Sequence, residues 1–294
     1  MSSLFETLMS STGMLLLLST FRLSLPLFFA TAGGYFSERS GVAQIALEAY
    51  LLVGAFTAAS TAYFTQSLSL SYLMAGIVAV LFAQIFCYLV LKLKANSIVI
   101  GTGLNLLAIG IIPIVSKSLF NSTGSTPSLE FNTSSVVIPL LFLLASLAVS
   151  WWLSEKSIWG LQMKFAGEKK LALESIGVSV VTRQWQSVSL GAFITGLGGA
   201  VLSTYLSSAY SPLMSAGRGY MALAAIIFAG WKLERALIMS LFFGLCDALQ
   251  IQMQSSASVA AVLPPDFIQM IPYISTLLAL LFFRSKNQAP AELK

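Results

Sequence analysis

The chain has 294 residues, of which 57% are hydrophobic and only 9% are charged, and its mean hydropathy is +0.86. Soluble domains carry about 25% charged residues, so this composition excludes a soluble globular protein. The net charge of +5 includes no cluster of basic residues, which argues against a nucleic-acid-binding surface. The sequence therefore predicts an all-α, polytopic helical membrane protein that forms a single domain over residues 1–294.

The apolar segments predict about nine transmembrane helices, within a range of about eight to ten, because a helical crossing needs about 20 apolar residues. The predicted spans are, in chain order, Gly13–Gly34, Ala43–Tyr63, Tyr72–Leu91, Ser97–Val115, Val136–Leu153, Trp185–Leu206, Met221–Trp231, Ala236–Gln252 and Phe267–Phe283. The second segment is polar and the seventh is short, so either can be a re-entrant or broken helix. Ser37–Gly41 and Gly217–Tyr220 are predicted as turns.

Basic residues follow the third, fifth, seventh and ninth predicted spans, and the last of these are Arg284 and Lys286. Loops rich in Lys and Arg stay in the cytoplasm. This pattern predicts a cytoplasmic C-terminus and, with nine spans, an N-terminus on the outer side. The glycines of the sixth span predict close approach between neighbouring helix backbones. They are Gly191, Gly196, Gly198 and Gly199.

A charged segment from residue 155 to residue 183 interrupts the apolar sequence and contains eight charged residues. Around Lys169–Ile176 it predicts a short amphipathic helix, with Glu168 at the positive end of the helix dipole. Gly177 is the residue type that ends a helix in a left-handed conformation. Taken alone, the segment favours a solvated connector between spans. Its predicted apolar patch consists of Leu171, Leu173 and Ile176.

The residue types needed for common enzyme chemistry are missing. Histidine is absent, which excludes Ser-His and Cys-His nucleophiles and histidine metal sites. No GxxxxGK[ST] phosphate loop occurs, so the chain does not bind ATP in that manner. The two cysteines lie in apolar runs and indicate neither a metal site nor a disulfide framework. The sequence therefore predicts no enzymatic activity, no cofactor and no metal.

Two acidic residues, Glu48 and Asp247, fall in apolar segments and need an explanation. They can relay protons or contact a solute, but pairing with Arg22 or Arg39, or capping a broken helix, is favoured because buried membrane charges need partners. The amides of Gln84, Asn105 and Gln250 can bind a polar solute or, equally, join helices. The candidates to line a translocation path are Gln44, Glu48, Asn105, Asp247 and Gln250.

Five blocks carry a resemblance to a known family. Ser37–Phe56, SERSGVAQIALEAYLLVGAF, resembles the ER-x-G-x-x-N-I-G-x-E-G-x-x-L-x-G-A-F signature of membrane permease subunits of ABC importers. Gly101–Gly110, Gly167–Val180, Gly217–Trp231 and Leu263–Tyr273 resemble later blocks of the same family, in the same order. Within this family, the five blocks most resemble the branched-chain amino acid/ribose-type permeases. The best match among these is to the nucleoside permeases that work with basic-membrane-protein lipoproteins.

The resemblance implies a role for the charged segment, which would dock as a cytoplasmic coupling helix on an ATPase subunit. The coupling residues implied are Gly167, Glu168, Lys169, Lys170, Leu171, Glu174 and Gly177. The other implied partners are a second permease chain, similar or identical, and an extracytoplasmic substrate-binding lipoprotein. The location implied is the bacterial inner (plasma) membrane, which the chain would cross many times, and the solute implied is a nucleoside or a similar small polar molecule.

The sequence departs from the family pattern at two positions, where Ala46 and Ala49 replace glycines. These departures leave the transporter class intact and the solute open. Two other classes remain as alternatives. An ion-coupled secondary transporter would use Glu48 and Asp247. An intramembrane enzyme is disfavoured, because the chain has no histidine and no paired acids in a Gly-x-Gly-Asp setting.

Overall fold

The computed structural model describes residues 11–122, 124–129, 136–255, 265–282 and 289–293. The helices are α1 Ser11–Arg39, α2 Leu47–Thr65, α3 Leu68–Cys87, α4 Ser97–Phe120, α5 Val137–Lys156, α6 Ile158–Glu168, α7 Lys170–Ser175, α8 Val180–Ala200, α9 Arg218–Phe228, α10 Leu233–Ser255, α11 Pro265–Gln269 and α12 Ile271–Phe282. π-helical turns extend α3 over Tyr88–Lys92 and α8 over Val201–Leu206. The described part contains no β-strand, and the predicted all-α class is confirmed.

Six helices within the described residues are long and apolar enough to cross a membrane. They are Gly13–Arg39, Leu68–Lys92, Ser97–Phe120, Val137–Lys156, Val180–Leu206 and Leu233–Gln254. A polytopic membrane protein is thereby confirmed, but the count of about nine spans is not. The end of the ninth predicted span at Phe283, the basic residues after it, and Leu263 and Pro264 lie outside the described residues.

The second and seventh predicted spans differ most from the structure. α2 begins at Leu47, because the chain after α1 first forms an irregular, partly buried loop over residues 41–46, and most of α2 is buried. α9 has 11 residues, a length of about 16 Å, which is too short to cross a bilayer. α9 starts inside the bundle, since the non-helical chain before it contains the fully buried Ser215.

α8 is the central helix and packs against α1, α2 and α3. The contacts are close because glycines face each other across them. A Cβ atom added to Gly33 of α1 would lie 2.3 Å from the backbone oxygen of Gly191 in α8. One added to Gly54 of α2 would lie 2.5 Å from the oxygen of Gly196. The predicted close approach at the α8 glycines is confirmed.

α1 is surrounded on its other sides by α10 and α5, which both pack against it. α1 is also longer than its predicted span, because it continues through the predicted turn to Arg39. Its last residues therefore extend to the side of the molecule that carries α6 and α7, and Gly41 lies against Gly167 there. This arrangement joins the end of the first span directly to the charged segment.

Candidate functional site

Glu48 lies at the start of α2 and is buried, with 7% of its surface exposed. Its Oε1 atom accepts hydrogen bonds from the Ser215 hydroxyl at 2.5 Å and from the Gly217 backbone N–H at 2.9 Å. Its Oε2 atom accepts one from the Gly219 N–H at 2.7 Å. The carboxylate thus occupies the N-terminus of α9, where unpaired N–H groups and the helix dipole favour a negative charge.

Each residue of the Gly-Arg-Gly sequence at positions 217–219 has a different structural role. Gly217 has φ = +78°, a conformation that favours glycine. Gly219 approaches the Glu48 backbone so closely that an added Cβ atom would lie 2.4 Å from the Glu48 nitrogen. Arg218 forms an ion pair with Asp247 of α10 at 3.3 Å. These residues begin α9, where a turn was predicted.

Asn105 performs the corresponding capping role for α2. Its Oδ1 atom accepts a hydrogen bond from the Ala49 backbone N–H at 2.9 Å. Its Nδ2 atom donates to the Ile45 carbonyl at 3.1 Å and to the Tyr220 hydroxyl at 2.8 Å. One amide from α4 therefore joins the entry to α2 with the first turn of α9. Interhelical bonding, one of the two roles considered for this residue, is what the contacts show.

Glutamine side chains occupy three different environments. Gln44 is fully buried in the loop before α2, and neither atom of its amide has a hydrogen-bond partner among the described residues. Gln84 joins α3 to α8, because it donates to the Ser189 hydroxyl at 3.1 Å and accepts from the Trp185 indole at 2.6 Å. Gln250 lies in a cavity wall with Asp247.

Two cavities adjoin Arg218. A cavity of about 630 Å³ opens between α1, the end of α8 and α10, and Arg22 and Gln252 lie in its wall. A smaller one of about 170 Å³ is lined by Asp247 and Gln250. Of the five candidates for the translocation path, Asp247 and Gln250 line a cavity. Gln44, Glu48 and Asn105 lie in neither cavity wall. The Arg22 guanidinium lies 5.1 Å from the centre of the Tyr205 ring.

The charged segment forms two helices, α6 and α7, with a break at Lys169 (φ −147°, ψ 75°). The predicted helix over Lys169–Ile176 is observed as α7, Lys170–Ser175. Glu168 therefore ends α6, and its carboxylate pairs with Arg39 at 2.7 Å. An added Cβ atom on Gly167 would lie 2.4 Å from the Arg39 carbonyl oxygen, so the segment contacts the end of α1 at backbone distance.

The end of α7 confirms the prediction for Gly177, whose φ is +76°. The Gly177 N–H donates to the Glu174 carbonyl and the Val178 N–H to the Leu173 carbonyl, a pattern that satisfies the last carbonyls of the helix. On the inner face of α7, Leu173 packs against Ala166 of α6 and Val180 of α8.

The apolar patch on α7 is smaller than predicted, because Leu173 is only 1% exposed. Leu171 is 81% exposed and Ile176 is 65% exposed, and both lie on the surface. Lys169 and Glu174 are exposed beside them. Lys170 forms an ion pair with Glu292 near the C-terminus. The surface that α7 presents is therefore two aliphatic side chains among charges.

Several residues at the site were missed from the sequence. Ser215 and Tyr220 bind Glu48 and Asn105, and Glu38 accepts hydrogen bonds from the Gln44 N–H at 2.8 Å and the Trp231 indole at 3.2 Å. Arg218 was also not considered as the partner of Asp247. The sequence did contain a signal for this pair, because a buried acid in a membrane needs a cation and Arg218 is a cation between apolar segments.

Taken together, a bundle of membrane-crossing helices, a short helix capped inside it and a charged helix pair on one side define a polytopic helical membrane protein. The chain belongs to the family described as branched-chain amino acid transport system / permease component, whose model matches residues 16–280. This confirms the resemblance seen in the sequence. No solved structure matches the chain.

Three curated relatives are similar over nearly their whole length. The nucleoside ABC transporter permease protein NupC of Lactococcus lactis is 29% identical, with 91% of each chain covered. The guanosine ABC transporter permease protein NupQ of Bacillus subtilis is 30% identical, with 90% of each covered. The putative glucose ABC transporter permease protein TsgC13 of Haloferax volcanii is 28% identical, with 90% of each covered.

Proposed function

We propose that this chain is the permease subunit of a bacterial ABC importer and that α6 and α7 are the surface on which a partner ATPase acts. The observation that carries the proposal is the position of these helices. They expose Leu171 and Ile176, yet Gly167 and Glu168 contact the end of α1 directly. A partner that displaces the surface of α7 would therefore move α1 and the entry to α2.

The proposed solute is a nucleoside or a similar small polar molecule. Two relatives are named for nucleoside or guanosine transport, which supports this class, although a third is named for glucose. The two cavities at Arg218 combine aliphatic walls with arginine, glutamine and serine side chains, which suits a ligand with an aromatic base and hydrogen-bonding groups. We assign Asp247 and Gln250 to the path and propose that Gln44, Glu48 and Asn105 hold the helices around it.

Further subunits follow from this assignment: a second permease chain, similar or identical, and an extracytoplasmic substrate-binding lipoprotein. The complex would lie in the inner membrane with the C-terminus in the cytoplasm. The position of Ala291–Leu293 against α6 supports that orientation, because it puts the C-terminal residues on the side of the proposed coupling surface. An ion-coupled transporter is not favoured, since Glu48 and Asp247 both have partners within the bundle.

The coupling proposal is tested by purifying the tagged permease from native membranes in a mild detergent and assaying for a co-purifying ATPase. The variant Leu171→Ser/Ile176→Ser should lose that ATPase, because it removes the exposed aliphatic side chains and leaves the buried Leu173 in place. The matched control Ile98→Ser/Val99→Ser changes two aliphatic residues of α4 that are also more than half exposed, and it should keep the ATPase. Normal ATPase recovery with the α7 variant would refute the proposed surface.

The solute is tested separately, by uptake of radiolabelled guanosine into cells that express the complete importer. Unlabelled nucleosides should compete, whereas glucose and branched-chain amino acids should not. Competition by glucose alone would replace the nucleoside assignment while leaving the permease assignment intact. Uptake that survives loss of the ATPase but stops with a proton uncoupler would contradict both.

A further inference from the structure

A third cavity, of about 380 Å³, lies on the side of the molecule that carries α6 and α7. It is bounded by the end of α1, the end of α5, α6 and the start of α10. Four basic and two acidic side chains line it, so its wall carries an excess of positive charge. These side chains are Arg39, Lys164, Lys232, Arg235, Glu155 and Glu234. The chemistry favours an anionic ligand.

The ion pairs leave two of these cations available. Lys164 pairs with Glu155 at 2.8 Å, across the cavity wall, and Arg39 pairs with Glu168 at 2.7 Å. Within the described residues, Lys232 and Arg235 form no ion pair, and both are exposed. Lys232 directly precedes α10, and Arg235 lies in its first turn. A ligand phosphate could bind both without breaking an existing pair.

Three aromatic side chains, Tyr35, Trp151 and Trp231, lie in the same wall. Trp and Tyr concentrate where a bilayer meets water, and Trp151 is 43% exposed at the end of a membrane-crossing helix. The cavity therefore lies at the depth of lipid headgroups. A soluble anion would need the positive charge but not this aromatic boundary.

An apolar strip continues from the cavity into the membrane region. α5 and α10 both pack against α1, and each presents an exposed aliphatic residue near the cavity. Leu144 is 60% exposed and precedes Trp151 by seven residues, which is two helical turns on the same face of α5. Ile238 is 64% exposed and follows Glu234 by one turn on α10. The combination of a basic head site and an apolar strip matches an anionic phospholipid.

We propose that this cavity binds the phosphodiester headgroup of an anionic phospholipid, with its acyl chains along the exposed aliphatic residues of α5 and α10. Basic pockets between membrane helices bind such headgroups. The headgroup would contact Lys232 and Arg235 and lie next to Arg39, whose guanidinium holds Glu168 at the end of α6. Bilayer composition would thereby influence the position of α6 and α7. The binding itself is independent of the proposed transport function.

The test measures lipid retained by the purified full-length chain in a neutral detergent, using native mass spectrometry with phosphatidylglycerol and phosphatidylcholine added in turn. The wild type should bind phosphatidylglycerol preferentially. Lys232→Gln/Arg235→Gln should weaken that binding about 25-fold, from roughly fivefold for each basic residue. Lys92→Gln/Lys94→Gln is the matched control, because it removes two exposed charges at the end of α3, outside this cavity, and should bind as the wild type does.

Three outcomes would overturn the proposal. The first is equal binding by the cavity variant and the control. The second is no preference for phosphatidylglycerol over phosphatidylcholine. The third is displacement of the lipid by millimolar inorganic phosphate, which would indicate a site for a free anion. An unchanged elution volume and thermal midpoint for the cavity variant would show that it folds, and quenching of tryptophan fluorescence by brominated phosphatidylglycerol, reduced in that variant, would support the site at Trp151 and Trp231.

Discussion

Two glycines of this chain adopt the same backbone conformation in very different surroundings. Gly177 ends α7 with φ = +76°, and Gly217 begins α9 with φ = +78°. Around Gly177, the position of an added Cβ atom has no neighbour within 4 Å, and the bonds that hold the turn come from residues three and five positions earlier. At Gly217 the N–H is held by the carboxylate of Glu48, 169 positions away in the sequence.

The difference separates a turn that supports itself from one that depends on the fold. The bonds around Gly177 form as soon as α7 forms, so a substitution in this turn should leave the stability of the bundle unchanged. The turn at Gly217 also has a local bond, from the Arg218 N–H to the Ser215 carbonyl, but the N–H groups of Gly217 and Gly219 are satisfied only while Glu48 of α2 lies against them. Substitutions at the two places should therefore differ in both the size and the reach of their effects.

The largest effect is expected for Glu48→Ala. It leaves the donors of Ser215, Gly217 and Gly219 unpaired inside the bundle, and each unsatisfied buried donor costs about 1–3 kcal/mol. We expect a large fall in the thermal unfolding midpoint in detergent and a low yield. Glu174→Ala, which removes an exposed acid from α7, should change stability by less than about 0.5 kcal/mol. Equal midpoints for the two variants would contradict the capping role.

An intermediate effect is expected for Gly219→Ala. The added methyl group would lie 2.4 Å from the Glu48 nitrogen, which is backbone and cannot rotate away, so we expect a cost of about 2 kcal/mol. The same change at Gly103 in α4 meets nothing within 4 Å and should stabilise the helix by up to about 1 kcal/mol. Thermal unfolding of both variants provides the measurement, and opposite signs are the expected result.

The smallest effect is expected for Gly177→Ala. An alanine in this conformation costs about 1 kcal/mol, and the loss should stay within α7 because the added Cβ atom meets nothing within 4 Å. Hydrogen exchange should accelerate over residues 170–178, while exchange in α2 and α9 stays as in the wild type. Gly177→Asn should recover part of the protection, since asparagine tolerates the left-handed conformation. Faster exchange in α9 would show that the turn at Gly177 is not independent.

The same contrast explains what the sequence could predict. The end of α7 was predictable because its signal is local, a glycine directly after an amphipathic segment. Which of its aliphatic residues would be buried was not, since Ala166 and Val180 cover Leu173 only after the chain folds back. The start of α9 was predicted as a turn, because the carboxylate that caps it belongs to another helix.

The acidic residues Glu48 and Asp247 show more clearly what the sequence could not predict. Capping of a broken helix was among the structural roles considered for Glu48, but the choice between alternatives required knowing that Gly217 lies beside it. For Asp247, pairing with Arg22 or Arg39 was one of the structural roles considered, yet its partner is Arg218 of α9, while Arg22 contacts Tyr205 and Arg39 binds Glu168. Charge pairing in a membrane could be foreseen; the identity of the partner depends on helix packing.

The glycine contacts of α8 have a mechanical consequence. At Gly33 and Gly54, backbone atoms of α1 and α2 come within contact distance of the α8 backbone, so there is little compressible material at these contacts. α8 also begins at Val180, directly after α7 and its closing turn. A force applied to α7 would therefore act on a stiff unit formed by α1, α2 and α8 and would displace it as a rigid body. Deformation would be confined to the helices and loops around this unit.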